Sequence, residues 1–347
     1  MPGRCWPVKF KQPEMEYEMA AEYFLGADVG GTTVKYIITD ALGGLVHQGQ
    51  VSTDPQSSKR TLGRLAMDVA EKIGPPEESS ESTFSHLAAV GVACAGIVNP
   101  ESGHLGRSPN LPGWENTDLK KIISNEFQDK PAVVANDVNA ALFGEYSFGA
   151  GKGCRDLVMI ALGTGVGGGI MLNGQLVVGS HNGAAEIGHM VLDPAGPLCT
   201  CGAVGCLEAW AGSVAIVKQA RLMARVEMKD TELALLVAEK GDSLTTRDLC
   251  ILAENGDAAS VALFAEVGHR LGHAVGNLIN LLDPERVIIG GGVALAGELI
   301  LGPCRAMVPK MVLAEESRTT PVVTAELGPM AAAMGSATLA RQEQAGG

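Results

Sequence analysis

The chain has 347 residues, of which 46% are hydrophobic and 19% charged, and its formal net charge is −13. This composition excludes an intrinsically disordered chain, and the length is sufficient for two lobes that each bury a core. The acidic balance, with no cluster of Lys and Arg, argues against a nucleic-acid binder, and no apolar run reaches the roughly 18 residues that span a membrane.

The first part of the chain, residues 1–22, is expected to be an N-terminal extension because it shows no hydrophobic periodicity. It contains no continuous apolar run and no small-residue cleavage site, so we expect no secretory signal. A cytoplasmic location with reduced thiols follows from this expectation.

A pattern of strand, glycine loop and strand occurs twice in the chain. It begins at Phe24 with FLGADVGGTTVKYIITD and returns at 156–179 with DLVMIALGTGVGGGIMLNGQLVVG, where Asn173 and Gly174 give a type I′ hairpin signal. The simplest architecture for this repetition is a duplicated β-β-β-α-β-α unit with a ligand cleft between the two copies.

The remaining elements follow from hydrophobic spacing. Residues 61–74 have helical spacing, LAAVGVACAGIV is typical of a buried strand, and AVVANDVNAALF predicts a strand, a polar corner and a helix. After the cysteine-rich segment around residues 199–206 the chain is expected to be helical to about residue 282, followed by a strand in RVIIGGGVAL and a small-residue helix at about 329–342. We therefore predict an N-terminal lobe of residues 23–135, on which the last helix packs, and a C-terminal lobe of residues 136–328.

The two glycine loops are suited to binding phosphate oxygens through free backbone amides. The segment LGTGVGGG formally matches a dinucleotide fingerprint, but a hairpin follows it where that fingerprint requires a helix. The first loop adds Asp28, a carboxylate able to hold Mg²⁺ through water, and the second adds Thr164. A tight β-turn without function is the alternative for either loop alone, and the matching positions in the two copies argue against it.

Asp137 lies at the corner between a predicted strand and a predicted helix. Aspartate at this place is either the N-cap of the helix or a general base at the edge of the cleft. Its position in the sequence does not choose between the two.

Three cysteines within CTCGAVGC follow a histidine and form the pattern His-x9-Cys-x-Cys-x4-Cys, made by His189, Cys199, Cys201 and Cys206. A redox pair lacks its C-x-x-C spacing and a disulfide is disfavoured in the cytoplasm, so the pattern predicts a structural zinc loop over residues 189–206. Free structural thiols are the alternative. Glu186 and Glu208 flank this loop and are either surface residues or a pair that grips a polyhydroxylated ligand.

From Phe24 to Ala340 the chain resembles the ROK family of sugar kinases and sugar-responsive repressors. The resemblance rests on DVGGTTVK, PNLPGW (109–114), NDVNAA, LGTGVGGG, EIGH, CTCGAVGCLE and IIGGGV (288–293). It implies an α/β, two-lobed, actin-like and hexokinase-like ATPase fold, built from duplicated ribonuclease H-like units with a ligand cleft between the lobes.

The resemblance also implies roles for individual residues. Asp137 is implied as the base that accepts the proton of a sugar 6-hydroxyl. The sugar pocket is expected to contain Gly96, Asn110, Asn136, Asp137, Glu186, His189 and Glu208. The phosphates and Mg²⁺ are expected at Asp28, Gly30, Gly31, Thr32, Thr33, Gly163, Thr164 and Gly165, and the adenosine at Gly290, Gly291 and Gly292. Thr33 stands where the family motif often has Lys, and Lys35 lies two residues later.

The expected function is ATP-dependent phosphorylation of a hexose, with glucose as the first candidate and N-acetylglucosamine, N-acetylmannosamine or fructose as alternatives. A sugar-sensing regulator without catalysis is the alternative of another class. Family repressors carry a winged helix-turn-helix, for which the roughly 22 residues ahead of the kinase-like body are too few. We expect small-molecule partners only, no nucleic acid or membrane, and a homodimer or homotetramer.

Overall fold

The computed structural model describes residues 22–74, 82–108, 110–226 and 231–346. The expected N-terminal extension lies outside the described residues except for Glu22, as does Pro109 of the PNLPGW motif. The fold is mixed α/β with two lobes, and each lobe is built on a sheet of five strands. No helix within the described ranges has the length and apolarity that crossing a membrane requires.

The first sheet has the strand order β3-β2-β1-β4-β7. Strands β1, β2 and β3 are antiparallel neighbours, whereas β4 and β7 run parallel to β1. The strands of this half, with a separate short pair β5 and β6, are β1 (Tyr23–Val29), β2 (Thr33–Thr39), β3 (Leu45–Ser52), β4 (Leu87–Cys94), β5 (His104–Leu105), β6 (Thr117–Asp118) and β7 (Ala132–Asn136). The carboxyl ends of β1, β4 and β7 therefore lie at one edge of this sheet.

The second sheet repeats this arrangement with the order β10-β9-β8-β11-β12 and the same pattern of antiparallel and parallel pairs. Its strands are β8 (Leu157–Leu162), β9 (Val166–Leu172), β10 (Gln175–Leu176), β11 (Arg286–Gly290) and β12 (Val322–Thr324). Asn173 and Gly174 join β9 to β10 with φ of 54° and 76°, as a type I′ turn requires. The duplication inferred from the sequence is thus visible in the strand order.

The strand predicted in RVIIGGGVAL is shorter than expected. Strand β11 ends at Gly290, and residues 292–296 form a 3₁₀ turn. Gly291 has φ of 86°, and a Cβ atom there would lie 2.3 Å from the carbonyl oxygen of Leu162. No side chain fits between residue 291 and β8, and the positive φ that glycine adopts there ends the extended conformation of β11.

The helices cover the two sheets. They are α1 (Ser58–Ile73), α2 (Leu119–Glu126), α3 (Asp137–Phe148), α4 (Glu208–Ala211), α5 (Ser213–Val226), α6 (Glu232–Lys240), α7 (Thr246–Glu254), α8 (Ala258–Leu282), α9 (Glu298–Met311) and α10 (Ala331–Gly346). Helix α1 begins after Ser57, whose side-chain oxygen accepts a hydrogen bond from the Arg60 amide. The helical region between the cysteines and residue 282 agrees with the periodicity of the sequence.

The small residues of α10 allow it to contact the first sheet and α3 at backbone distance. A Cβ atom on Gly26 of β1 would lie 2.1 Å from the carbonyl oxygen of Ala333, and one on Gly91 of β4 would lie 1.9 Å from that of Ser336. A Cβ atom on Gly335 would lie 1.7 Å from the carbonyl oxygen of Ala140 in α3. Helix α10 is therefore packed against β1.

Candidate active site

Two acidic residues lie at the carboxyl edge of the first sheet. Asp28 is near the end of β1, Asp137 follows β7, and Cys94 ends β4 between them. The pKa of Asp28 is raised to about 7, first by burial and then by the charge of Asp137, while Lys35, paired with Asp28 on β2, opposes this shift. The pKa of Asp137 is also raised, first by burial and less by the charge of Glu186, against a lowering by the backbone N–H of Val138. Both carboxyl groups are therefore set to exchange a proton nearer neutral pH than a free aspartate.

The capping of α3 separates the roles of Asn136 and Asp137. The Oδ1 atom of Asn136 accepts hydrogen bonds from the amides of Val138 and Asn139 at 3.0 and 3.1 Å, which makes Asn136 the N-cap. Asp137 is the first helical residue, and its Oδ1 atom accepts from Val138 at 3.0 Å. The interpretation of Asp137 as the N-cap is wrong, because the residue before it occupies that position.

The predicted residues Gly96 and Asn110 lie on loops at this same edge. The carbonyl oxygen of Gly96 accepts a hydrogen bond from Nδ2 of Asn136 at 3.1 Å, and its φ of 125° suits a glycine. Asn110 is exposed, and its carbonyl oxygen lies 3.6 Å from the position of a Cβ atom on Gly31. The first of these loops thus lies beside the residue that precedes Asp137, and the second lies beside the first glycine loop.

The first glycine loop connects β1 to β2 and leaves Gly30, Gly31 and Thr32 exposed. The amide of Gly30 donates to the Thr33 carbonyl at 3.0 Å, so Thr33 belongs to β2 and its carbonyl oxygen closes the turn. Thr53 fixes the loop from β3: its hydroxyl donates to the Gly30 carbonyl at 2.8 Å and its amide to the Thr32 carbonyl at 2.9 Å.

The loop beside Thr53 also supports the PNLPGW segment. The buried indole of Trp114 donates to the carbonyl oxygen of Asp54 at 2.9 Å, and the amide of Gly113 donates to that of Pro55 at 2.9 Å. Residues 53–55 thus contact both the first glycine loop and the segment that carries Asn110. Nothing in the sequence around Thr53 indicates this contact with Gly30, which lies 23 positions earlier in the chain.

The second glycine loop connects β8 to β9. The amide of Gly163 donates to the Gly165 carbonyl at 2.9 Å, the amide of Ser213 donates to the Gly163 carbonyl at 2.9 Å, and Thr164 is exposed. Because β11 pairs with β8, Gly290, Gly291 and Gly292 lie beside this loop. The segments predicted for phosphates and for adenosine are therefore neighbours in the second lobe.

The four predicted metal ligands come together in one cluster. The ligand atoms of His189, Cys199, Cys201 and Cys206 all lie within 4.8 Å of one another. Nδ1 of His189 is 3.7 Å from Sγ of Cys199, and the Sγ atoms of Cys201 and Cys206 are 3.8 Å apart. Zn–S bonds of about 2.3 Å and Zn–N bonds of about 2.0 Å in a tetrahedron give edges of about 3.5 to 3.8 Å, so the donor set fits zinc.

The cysteine loop turns sharply at glycines between the ligands. Gly202 and Gly205 have φ of 93° and 77°, and the amide of Cys199 donates to the Ala203 carbonyl at 2.8 Å. Burial raises the pKa of the Cys206 thiol to about 12, whereas a hydrogen bond from the Ala203 backbone lowers the pKa of Cys201. A metal would hold both sulfurs as thiolates, because the thiolate is the ligand.

The two glutamates that flank this loop differ in their surroundings. Glu186 is exposed immediately before the 3₁₀ turn Ile187–His189. Glu208 begins α4, and its Oε2 atom accepts a hydrogen bond from the amide of Val166 at 3.1 Å. Its Oε1 atom accepts one from the hydroxyl of Thr200 at 2.8 Å. Glu208 therefore contacts both the cysteine loop and the second glycine loop, although nothing in the sequence around Glu208 indicates its contact with Val166.

Comparisons with known proteins agree with this arrangement. The ROK family model matches residues 24–343. A glucokinase from Halalkalibacterium halodurans is 32% identical over 327 residues, 94% of this chain and 97% of its own length. A xylose repressor from Caldicellulosiruptor bescii is 28% identical over 284 residues, 82% of this chain and 69% of its own length.

A solved structure gives the corresponding result for the fold. The ROK family glucokinase from Streptomyces griseus, in complex with glucose and AMPPNP, superposes with a TM-score of 0.76 at 34% identity and covers 92% of this chain and 99% of its own. The expected two-lobed hexokinase-like fold is thereby confirmed. By its sequence motifs, its duplicated sheets and these matches, the chain belongs to the ROK family.

Proposed function

We propose that this protein is a glucokinase, an enzyme that transfers the γ-phosphoryl group of ATP to the 6-hydroxyl of glucose in the presence of Mg²⁺. The observation that carries the proposal is the position of Asp137, which is half-buried near Asp28 and has a raised pKa. Its carboxylate is not needed as the N-cap of α3, because Asn136 occupies that position. The glucokinases of H. halodurans and S. griseus, each similar over more than nine tenths of this chain, support the choice of reaction. The enzyme would act in the cytoplasm as a homodimer or homotetramer.

The proposed sugar site contains the carboxylates, amide and imidazole groups that can exchange hydrogen bonds with a polyhydroxylated ligand. These groups belong to Asn110, Asn136, Asp137, Glu186, His189 and Glu208, and the carbonyl oxygen of Gly96 lies close by, bonded to Asn136. The phosphates would lie between the two glycine loops, where the side chain of Asp28 can hold Mg²⁺ through water. The residues proposed for phosphates and adenosine are Asp28, Gly30, Gly31, Thr32, Thr33, Gly163, Thr164, Gly165, Gly290, Gly291 and Gly292.

The proposed step has a simple balance. The oxygen of the sugar 6-hydroxyl forms a bond to the γ-phosphorus, the bond between that phosphorus and the β,γ-bridging oxygen breaks, and ADP leaves. The hydroxyl proton passes to the carboxylate of Asp137. A carboxylate whose pKa is raised by burial accepts this proton more readily than an exposed one, because the driving force grows as the two pKa values approach.

We propose that zinc occupies the cluster of His189, Cys199, Cys201 and Cys206 as a structural ion. The metal would hold the 3₁₀ turn that follows Glu186 against the cysteine loop that precedes Glu208, and so fix the spacing of two proposed sugar ligands. Cys201→Ala should reduce the zinc content from one ion per chain to near zero and weaken glucose binding, whereas Cys250→Ser, on α7, should change neither. Full zinc content and unchanged glucose binding in Cys201→Ala would contradict the proposal.

A sugar-sensing regulator without catalysis is the second candidate, because a xylose repressor is 28% identical to this chain. The two candidates differ in turnover. We would measure ADP release by the purified protein with Mg²⁺-ATP against glucose, mannose, fructose, N-acetylglucosamine and N-acetylmannosamine. The glucokinase proposal expects the highest kcat/KM with glucose. Binding of a sugar without ADP release would favour the regulator, and a higher kcat/KM with an N-acetylhexosamine would replace the proposed substrate.

A further inference from the structure

We infer that Glu208 is a positioning residue that couples the metal cluster to the second glycine loop, so that metal occupancy determines how firmly this loop is held. The inference concerns the proposed nucleotide side of the site and rests on the proposed function only for its effect on ATP. It differs from the role of Glu208 as a sugar ligand, because the contacts that carry it are to the protein itself.

The two carboxylate oxygens of Glu208 face in two directions. Oε1 lies 2.8 Å from the Thr200 hydroxyl and 3.6 Å from Sγ of Cys199, both in the cysteine loop. Oε2 lies 3.1 Å from the amide nitrogen of Val166, the first residue after the second glycine loop. A single side chain thus joins the two loops through hydrogen bonds to a charged acceptor, which are stronger than neutral ones.

A bound metal would restrict the backbone on both sides of Thr200. It lies between the ligands Cys199 and Cys201, so a metal that fixes these two sulfurs also fixes the backbone that carries the Thr200 hydroxyl. The direction of the hydrogen bond to Glu208 therefore depends on the geometry of the cluster.

The loop side of the contact is equally restricted. A Cβ atom on Gly165 would lie 2.3 Å from Oε2 of Glu208, so the carboxylate reaches the Val166 amide only because Gly165 has no side chain. The start of the next helix contacts the same loop, since the amide of Ser213, the first residue of α5, donates to the Gly163 carbonyl at 2.9 Å. The glycine loop is thus held by Glu208 at the start of α4 and by Ser213 at the start of α5.

Removal of the metal should therefore loosen the second glycine loop before it affects the rest of the lobe. The first glycine loop serves as an internal reference, because its anchor is Thr53, which does not belong to the cluster of His189 and the three cysteines.

The experiment follows backbone amide hydrogen exchange in peptides that cover residues 163–167 and, as the reference, residues 30–34. Removal of zinc from the wild-type protein by a chelator should speed exchange at 163–167 by about tenfold, the effect of losing one hydrogen bond to a charged group, and leave 30–34 unchanged. Thr200→Val should give the same acceleration while it retains one zinc per chain, and Thr200→Ser should restore the wild-type rate. Thr319→Val, which removes a hydroxyl bonded to Glu316 elsewhere in the second lobe, is the matched control.

The coupling predicts that chelation and Thr200→Val do not add, because both act through the same contact. Exchange at 163–167 that stays unchanged after chelation would overturn the inference, whether or not Thr200→Val folds. Additive effects of the two changes would overturn it as well.

Nucleotide binding separates this coupling from the proposed function. The affinity for ADP should fall about fivefold in Thr200→Val. A wild-type protein that binds no nucleotide would refute the proposed function, and the hydrogen-exchange result would then decide the coupling alone.

Discussion

The two glycine loops occupy equivalent places, between the first and second strands of two sheets with the same strand order, yet they are anchored by different chemistry. The loop of the first lobe is held by the amide and hydroxyl of Thr53, both neutral groups. The loop of the second lobe is held by the carboxylate of Glu208, which in turn contacts the metal cluster.

The acidic residues show the same asymmetry. Two positions before Gly30 the first lobe has Asp28, and two positions before Gly163 the second lobe has Ala161. The edge of the first sheet therefore carries the two carboxylates, Asp28 and Asp137, that are proposed to hold a cation and to accept a proton. The edge of the second sheet carries a glycine loop whose backbone is held by Glu208. Duplication of the fold gives two sheets with equivalent edges, and the different side chains at these edges allow each one a different role.

The largest expected effect tests whether the sugar proton is accepted by Asp137 at the edge of the first sheet. Asp137→Asn should lower kcat by about 10² to 10⁴, because an amide cannot accept the hydroxyl proton. Binding of glucose and the zinc content should remain. The matched control is Asp242→Asn, whose side chain is exposed in the second lobe. A kcat within twofold of the wild type would remove Asp137 from the role of base.

The prediction of intermediate size concerns the charge of Asp28, which has no counterpart at Ala161 in the second lobe. We expect this charge to lower the free energy of unfolding. The pKa of Asp28 is about 7 in the folded protein and near 3.8 when the group is free. The folded state thus retains this proton more strongly, so the free energy of unfolding falls as the pH rises from about 4 to about 7. Asp28→Asn should raise that free energy by roughly 2 to 4 kcal/mol at pH 8 and have little effect at pH 4.

Urea unfolding of the wild type and of Asp28→Asn without Mg²⁺ checks this expectation. The difference between the two proteins should disappear as the pH falls towards 4. A gain in stability that is equal at both pH values would mean that the charge of Asp28 is not its cause. Mg²⁺ should reduce the gain at pH 8, because a cation favours the charged form of the wild-type carboxyl group.

The smallest expected effect compares the loops directly. Gly165→Ala places a methyl group 2.3 Å from Oε2 of Glu208 and should cost roughly 1 to 3 kcal/mol of unfolding free energy. Gly31→Ala places one 3.6 Å from the Asn110 carbonyl and should change stability by less than about 0.5 kcal/mol. Thermal unfolding of both variants provides the comparison. Equal costs would show that the second loop is no more tightly anchored than the first.

Several features could be predicted from the sequence because their signals are local. The repeated strand and glycine patterns predicted two similar sheets, and the strand order bears this out. The spacing of His189 and three cysteines predicted one cluster, and their ligand atoms meet within 4.8 Å. In these cases the residues that form a feature are near in the chain, so the pattern itself carries the geometry.

Other features depend on contacts between distant residues and had no local signal. The bond from Val166 to Glu208 joins residues 42 positions apart, and Thr53 reaches Gly30 across 23. The capping of α3 was ambiguous for another reason. Asn136 and Asp137 are both good cap residues, and only the packed helix shows which one lies outside it.

The position of α10 has a consequence for the synthesis of the protein. The hydroxyl of Ser336 in this helix donates to the carbonyl of Ala27 in β1, a residue that precedes it by 309 positions. A ribosome that has made β1 and β4 has not yet made the helix that covers them. The first lobe therefore reaches its native packing only after α10 has been synthesised, and until then β1 and β4 lack the helix that covers them.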